Sequence, residues 1–275
     1  MRKLLLVAVL VTSAAWGAGC STESDVRSDS GPSTTGAGVD ASGANVAEPD
    51  SNTETTAPSA VPVGPKDSPF LFVQGAVSVP PGDPGKLTVV FTGVPEGDMG
   101  STVPVIIRNN TAVAVGSIEV NGTARLADGA LAGSGSSQGF EPTVLEPGEW
   151  GFGYIYFDSQ LPADASIEAT ARGDEHTEGA PFSKVRLKVN ELNLQPGDYG
   201  TSYIGIVSNS DSKETATDPV NVFVGCFDAE SKLTKVFTGY ADGEVVPGGT
   251  ASFSVSVYDS PPCASVAVGA SGHTF

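Results

Sequence analysis

An internal repeat, in which the second half of the chain resembles the first at an offset of 100 residues, constrains the fold most. The matched segments keep one order in both copies: 97–100 with 197–200, 106–109 with 206–209, 120–121 with 220–221, 128 with 228, and 147–148 with 247–248. After a one-residue shift, Phe157-Asp158-Ser159 matches Tyr258-Asp259-Ser260. This period exceeds the roughly 20–50 residues of solenoid units. It therefore indicates two copies of a complete small domain.

Each copy has the pattern of β-strands separated by turns. Residues 184–189 and 250–258 alternate strictly between polar and apolar side chains, as half-buried strands do. The other strands are expected at 86–91, 102–108, 117–127, 149–157, 166–171, 202–208, 219–227, 233–240 and 264–269. No segment after residue 20 has a helical period. The sequence predicts an all-β chain with two tandem immunoglobulin-like β-sandwich domains, at 66–172 and 173–275.

Two motifs of each copy resemble the FxLYD family of bacterial domains. The segment 224–228, Val-Gly-Cys-Phe-Asp, resembles the motif itself, with Cys226 where Leu is usual. The first copy keeps only Leu126 and Asp128 of that motif. The family also has a Leu-x-Pro-Gly turn followed by an alternating strand. In this chain, Leu-Glu-Pro-Gly at 145–148 and Val-Val-Pro-Gly at 245–248 resemble that turn, and an alternating strand follows each of them. The resemblance implies small β-sandwiches in a cell-envelope protein, and it implies no catalytic residues.

The first 19 residues have the layout of a bacterial secretory signal. Arg2 and Lys3 precede an apolar run, Leu4–Val11, which is shorter than the roughly 20 residues of a membrane-spanning helix. The end of the signal resembles a lipoprotein signal, which implies that Cys20 is diacylated and becomes the new N-terminus. Gly17 departs from that pattern, which usually has Leu, Val or Ile there. The alternative is ordinary cleavage near Ala18, with Cys20 left as a free thiol.

Residues 20–65 form a segment rich in Ser, Thr, Gly, Pro and acids, with no aromatic residue. Such a composition cannot bury enough apolar surface to offset the entropy of ordering, so we expect a disordered tether. The tether is interpreted as a spacer between an anchor and the folded domains. The alternative is a variable leader without a role.

The composition limits the partners and ligands that the chain is expected to bind. The chain has 32 Asp and Glu against 14 Lys and Arg, which argues against nucleic acid because phosphates are bound by basic residues. Its 2 His and 3 Cys offer few ligands for transition metals, and we expect no cofactor. The acidic stretch 174–178 is the best candidate for a calcium site, although a solvated linker explains it better.

A hydrolase motif and an aromatic row are the other candidate sites. Residues 135–139, Gly-Ser-Ser-Gln-Gly, match Gly-x-Ser-x-Gly, but a hydrolase needs this Ser on a strand-to-helix turn beside a His base. A flexible loop explains the match better, so no catalytic residue is assigned. One strand face carries a row of aromatic residues that could stack on sugars: Trp150, Phe152, Tyr154 and Tyr156. Alignment of the last three with Phe253, Val255 and Val257 favours core packing.

Cys226 and Cys263 are expected to form a disulfide in the second domain. The first copy has Leu126 and Pro162 at these positions, so both partners are lost together. Export makes oxidation feasible. The alternative is a buried free thiol at Cys226 with an exposed Cys263.

The sequence as a whole indicates a non-enzymatic, lipid-anchored protein of the cell envelope. Its membrane contact would be the lipid on Cys20, and its tandem sandwiches would bind or space an envelope protein or glycan outside the cytoplasm. The alternative is a secreted carbohydrate-binding protein or a hydrolase with a site built from loops, because sandwich folds carry many functions.

Overall fold

A computed structural model describes residues 66–177, 183–197, 200–210, 212–257 and 263–274. These residues form thirteen β-strands and no helix, so the all-β prediction is confirmed. The signal at 1–19, Cys20 and the tether at 20–65 lie outside the described residues.

The strands belong to two antiparallel sheets. The first sheet contains β2 (Leu87–Thr92), β3 (Ser101–Asn109), β4 (Val115–Arg125), β5 (Leu131–Glu141), β6 (Trp150–Phe157) and β7 (Ser166–Glu175). The second sheet contains β1 (Phe72–Gln74), β8 (Lys184–Gly197), β9 (Gly200–Ser208), β10 (Thr217–Phe227), β11 (Leu233–Ala241), β12 (Thr250–Val257) and β13 (Ser265–His273).

Both sheets have the same strand order. The first runs β2-β3-β6-β5-β4-β7, and the second, started at β8, runs β8-β9-β12-β11-β10-β13. Each strand of the first sheet thus has a counterpart at the same place in the second. In the second sheet β13 pairs with β1 and also with β8, which closes the series of six strands into a barrel-like or sandwich-like arrangement.

Two asparagines show how closely the copies correspond. Asn109 Nδ2 donates to the Leu145 carbonyl at 2.8 Å, and Asn209 Nδ2 donates to the Val245 carbonyl at 2.9 Å. The backbone oxygen of each Asn accepts from the glycine of the following Pro-Gly turn, at 2.7 Å in both copies. The repeated Asn and Pro-Gly sequences therefore make one local structure, in which a buried amide holds the turn against the strand.

Three apolar clusters hold the sheets together. One fills the interior of the second sheet and another the interior of the first. The third lies between the two sheets and consists of Leu71, Ile106, Trp150, Phe152, Phe223, Phe227, Leu233 and Ala267. All described residues accordingly belong to one compact unit.

The predicted domain limits and the predicted strands differ from the structure in three places. The limit between residues 172 and 173 falls inside β7, which ends at Glu175. The three-residue β1 precedes the first sheet in the chain but pairs with β13 of the second. Strand β5 occupies a Gly- and Ser-rich stretch where no strand was expected, because these residues have low strand propensity. Gly135 is required there, since a Cβ would lie 2.3 Å from the Tyr156 carbonyl oxygen.

Cys226 and Cys263 form a disulfide, with their Cα atoms 5.2 Å apart. Cys226 is buried and Cys263 packs against the interior of the second sheet. The separation of 37 residues corresponds to a stabilisation of roughly 4 kcal/mol in the chain-entropy model.

We expect the double variant Cys226→Ala/Cys263→Ala to lose about 2–4 kcal/mol of unfolding free energy, measured by urea denaturation. Dithiothreitol should destabilise the wild type by a similar amount and leave the double variant unchanged. Two titratable thiols in the folded, unreduced protein would contradict the pairing.

Candidate functional site

The serine of the hydrolase motif lies within a strand. Ser137 belongs to β5, and its Oγ accepts a hydrogen bond from the Val120 backbone N–H at 3.0 Å. The prediction of a flexible loop at 135–139 is therefore wrong. The hydroxyl satisfies the backbone of β4, which is a structural role.

The acidic stretch lines a cavity that has a volume of about 450 Å³. Asp174, Glu175, His176 and Lys184 are among the residues that line this cavity. Glu178, the last residue of the predicted cluster, lies outside the described residues. Within the described ranges, no group of three or more His, Cys, Asp and Glu residues is placed to hold a metal ion.

The aromatic row of β6 lies on the opposite face from the one predicted. Trp150 pairs with Arg108, and Thr250 pairs with Ser208, so β6 and β12 correspond residue for residue at the offset of 100. The sequence comparison aligned β6 with β12 by a shift of one residue, and this shift is wrong within these two strands. The residues of β6 that match the interior Phe253, Val255 and Val257 are Gly153, Ile155 and Phe157.

The outward face of β6 passes from buried to exposed along its length. Trp150 and Phe152 are buried in the cluster between the sheets. Tyr154 is half-buried at the border of that cluster, and Tyr156 is 38% exposed. The first two residues thus join the sheets, Tyr154 borders their cluster, and Tyr156 reaches the surface.

We use the name tyrosine cleft for the surface that carries Tyr154 and Tyr156 of β6 and Tyr240 of β11, which lies close enough to Tyr154 to affect its pKa. The ring of Tyr154 packs on Phe223 of β10, with 6.2 Å between ring centroids and 31° between planes. Tyr240 of β11 is 61% exposed. Burial raises the pKa of Tyr154, and the neighbouring Tyr240 raises this pKa further. The Tyr154 hydroxyl therefore stays protonated at neutral pH and can both donate and accept a hydrogen bond.

A small cavity of about 170 Å³ opens beside Tyr154. Thr102 and Pro104 line it from the first sheet, and Val236 lines it from the second. Glu96 and Lys235 also line it and form an ion pair at 3.2 Å, which joins the loop before β3 to β11. The cavity is thus built from both halves of the chain, and its two charged groups are paired with each other.

Tyr240 was missed in the sequence. It lies in β11, where the predicted strand 233–240 alternates and places Thr238 and Tyr240 on the side opposite the half-buried Phe237. A large aromatic residue on the outward side of an amphipathic strand is the signal that could have found it. Its nearness to Tyr154 depends on the packing of the two sheets, which no local pattern encodes.

The cleft has the chemistry of a binding surface. Tyrosine combines a broad apolar ring with a polar hydroxyl, which suits contacts that are partly apolar and partly wet. Within the described residues, no helix is long and apolar enough to cross a membrane.

No protein-family model matches the chain, and no curated protein matches it.

Proposed function

We propose that this protein is a lipid-anchored binding protein of the bacterial cell envelope, without enzymatic activity, and that the tyrosine cleft is its binding site. The observation that carries the proposal is the shared cluster between the sheets, which has Tyr154 at its border, together with the exposed Tyr156 on β6 and the exposed Tyr240 on β11. Concave surfaces with aromatic rings at the junction of two structural units are common ligand sites.

We further propose that each sheet is an immunoglobulin-like sandwich. In that fold, strands A-B-E-D form one layer and C-F belong to the other. The order β2-β3-β6-β5 followed by β4-β7 supports this assignment, because it can be divided into the same two groups of strands. Strand β5 pairs with β6 from Gly135 to Glu141 and with β4 from Leu131 to Ser136, so it passes from one layer to the other. The FxLYD resemblance supports the same assignment.

The extracytoplasmic location is supported by the signal layout before Cys20 and by the disulfide, which favours an oxidising compartment. A lipid on Cys20 would hold the protein at the membrane, and residues 21–65 would serve as its tether. The alternative of a secreted carbohydrate-binding protein differs in lacking this anchor.

Lipidation can be tested by mass spectrometry of the mature N-terminus. We expect Cys20 to be the first residue and to carry the added mass of acyl chains. Cys20→Ala should release the protein into the soluble fraction, whereas the neighbouring Ser21→Ala should leave it in the membrane fraction. A mature chain that starts at Ser21, or at Cys20 without acyl mass, would refute the anchor.

The binding role can be tested with the Cys20→Ala form of the full chain and isolated bacterial envelopes. We expect cosedimentation with the envelopes, and we expect Tyr156→Ala/Tyr240→Ala to abolish most of it. Leu131→Ala is a matched control, because Leu131 is 65% exposed at the β4–β5 turn, outside the cleft. Equal cosedimentation of all three forms would refute the cleft as the binding site.

A further inference from the structure

We infer that the cavity of about 450 Å³ beside the acidic stretch binds a small zwitterion, of the class of a free amino acid or a short peptide. Lys184 and Thr143 hold its carboxylate, and Asp174 and Glu175 hold its ammonium group. The volume falls within the roughly 300–1,000 Å³ of small-molecule sites. None of the three tyrosines of the tyrosine cleft is among the residues that line this cavity, so it is a second site beyond the proposed function.

A β-bulge in β4 borders the cavity. The pairing of β4 with β7 shifts register between Gly116 and Glu119, and Ser117 within the bulge has a φ of 48°, in the left-handed region. Bulges and strained residues occur often at functional sites. Gly116 and Ser117 line the cavity, and a Cβ on Gly116 would lie 3.3 Å from His176 Nδ1. The cavity therefore lies where the regular pairing of the first sheet is interrupted, and Lys184 of the second sheet completes its lining.

Thr143 supplies a buried polar group without a partner. It lines the cavity and is 9% exposed, and its Oγ1 has no hydrogen-bond partner among the described residues. A buried unpaired hydroxyl costs free energy, which a ligand recovers when it accepts a hydrogen bond from that hydroxyl. The repeat position in the second copy is Gly243, so the repeated turn does not require a hydroxyl here. Thr143 is therefore available to donate to the carboxylate of a ligand.

Lys184 supplies a positive charge that no carboxylate neutralises. Within the part of the chain that the structure describes, its side chain forms no ion pair. Its charge acts on the buried Glu141, whose pKa burial raises to about 8, so this carboxyl is mostly protonated at neutral pH. Its charge also helps to lower the pKa of His273. The ammonium group of Lys184 is therefore free to bind an anionic group in the cavity.

Asp174 and Glu175 supply the opposite charge. They lie at the end of β7, are exposed, and line the same cavity as Lys184. Arg172 lies near Asp174, but its guanidinium pairs with Glu119 at 2.6 Å. A simple metal cation would be repelled by Lys184, and a simple anion would be repelled by the two carboxylates. A cavity that presents both signs of charge therefore selects a ligand that carries both signs.

The test is a titration of the full chain with Cys20→Ala, followed by heteronuclear nuclear magnetic resonance. The zwitterionic probes are L-alanine, L-leucine and L-alanyl-L-alanine, which separate a free amino acid from a short peptide. The N-acetyl derivative of each probe lacks the ammonium group, and its amide lacks the carboxylate. We expect saturable shifts at Gly116, His176 and Lys184 with at least one zwitterion. Both of its derivatives should bind on the order of tenfold more weakly or worse, because each loses a charge-assisted contact.

Substitutions identify the groups that hold the carboxylate. Lys184→Gln should weaken binding by on the order of tenfold. Thr143→Val should weaken binding by about fivefold without lowering the melting temperature, because it removes a hydroxyl that has no partner in the fold. The matched controls are Lys232→Gln and Thr170→Val, which change exposed residues outside the cavity lining and should bind like the parent. The melting temperature shows whether each variant is folded, and Thr143→Val keeps the test valid if Lys184→Gln is not.

Three results would overturn the inference. The first is that no zwitterion gives saturable shifts at the cavity. The second is that an N-acetyl or amide derivative binds as tightly as its zwitterion, which would show that one charge is sufficient. The third is that Lys184→Gln and Thr143→Val both bind like the parent. Envelope binding through the tyrosine cleft is measured separately, so the proposed function stands or fails independently of these results.

Discussion

Replacing Trp150 by alanine is expected to lower the free energy of unfolding by about 3–5 kcal/mol, the usual range for a fully buried aromatic residue. Trp150 is 1% exposed in the cluster between the sheets. Its ring meets Phe227 edge-on at 6.3 Å, and its Nε1 donates to Asp67 Oδ1 at 2.8 Å. The substitution removes contacts with both sheets and the partner of a carboxylate.

Thr250 provides a matched control because it occupies the position of Trp150 in the second sheet and is exposed. Thr250→Ala should change the unfolding free energy by less than about 0.5 kcal/mol. Urea denaturation measures the unfolding free energy of both variants. Unfolding is followed by far-ultraviolet circular dichroism, because Trp150→Ala removes the buried indole and with it the tryptophan signal. A loss below about 1 kcal/mol for Trp150→Ala would show that the interface cluster contributes little.

Glu141→Gln is expected to stabilise the protein at pH 8 by about 2–4 kcal/mol and to have little effect near pH 5. Glu141 is fully buried, and its Oε1 accepts from Ser271 Oγ of the second sheet at 2.5 Å. Burial raises its pKa to about 8, and the opposing effects of the Ser271 hydrogen bond and Lys184 are smaller. Glutamine keeps the shape and an acceptor oxygen without a titratable proton.

The direction of this pH dependence follows from the protons bound by Glu141 in the folded and unfolded states. The pKa of Glu141 is about 8 in the folded protein and near its usual value of 4.5 in the unfolded chain. Between these values the folded state holds a proton that the unfolded state has released, so the unfolding free energy falls as pH rises through this window. The wild type should lose stability between pH 5 and 8 relative to Glu141→Gln.

Urea denaturation at pH 5, 6, 7 and 8 measures this difference. Burial and Lys184 lower the pKa of His273, but this group is present in both proteins, so their difference isolates Glu141. Glu230→Gln, an exposed substitution in the turn before β11, controls for the loss of one acid. Parallel stability profiles of wild type and Glu141→Gln would contradict a proton held by Glu141.

Strands with one buried face were predictable because alternation records burial directly. The stretch 184–189 shows this, since Val185, Leu187 and Val189 are buried as expected. Strand β5 was not predictable from composition. Its glycines are selected by the close approach of β6, which is a tertiary contact.

The site was less predictable than the strands. The aromatic row of β6 was visible, but its burial depended on a second sheet that packs against the outward face of the first. A tryptophan such as Trp150 suits both the interior of one sheet and the interface between two sheets. The local sequence therefore does not distinguish these two positions. The exposed Tyr240 gains a role only when the packing brings it to Tyr154.

The position of β1 has a mechanical consequence. The described residues begin at Lys66, which forms a bridge to Glu149, the residue before β6 of the first sheet, and six residues later β1 pairs with β13 of the second sheet. Farther on, Ser231 Oγ donates to the Ala76 carbonyl at 3.1 Å. A pulling force applied on the N-terminal side therefore acts on a segment that contacts both halves of the fold. A pull strong enough to extract this segment must shear β1 along β13 before it unravels either half.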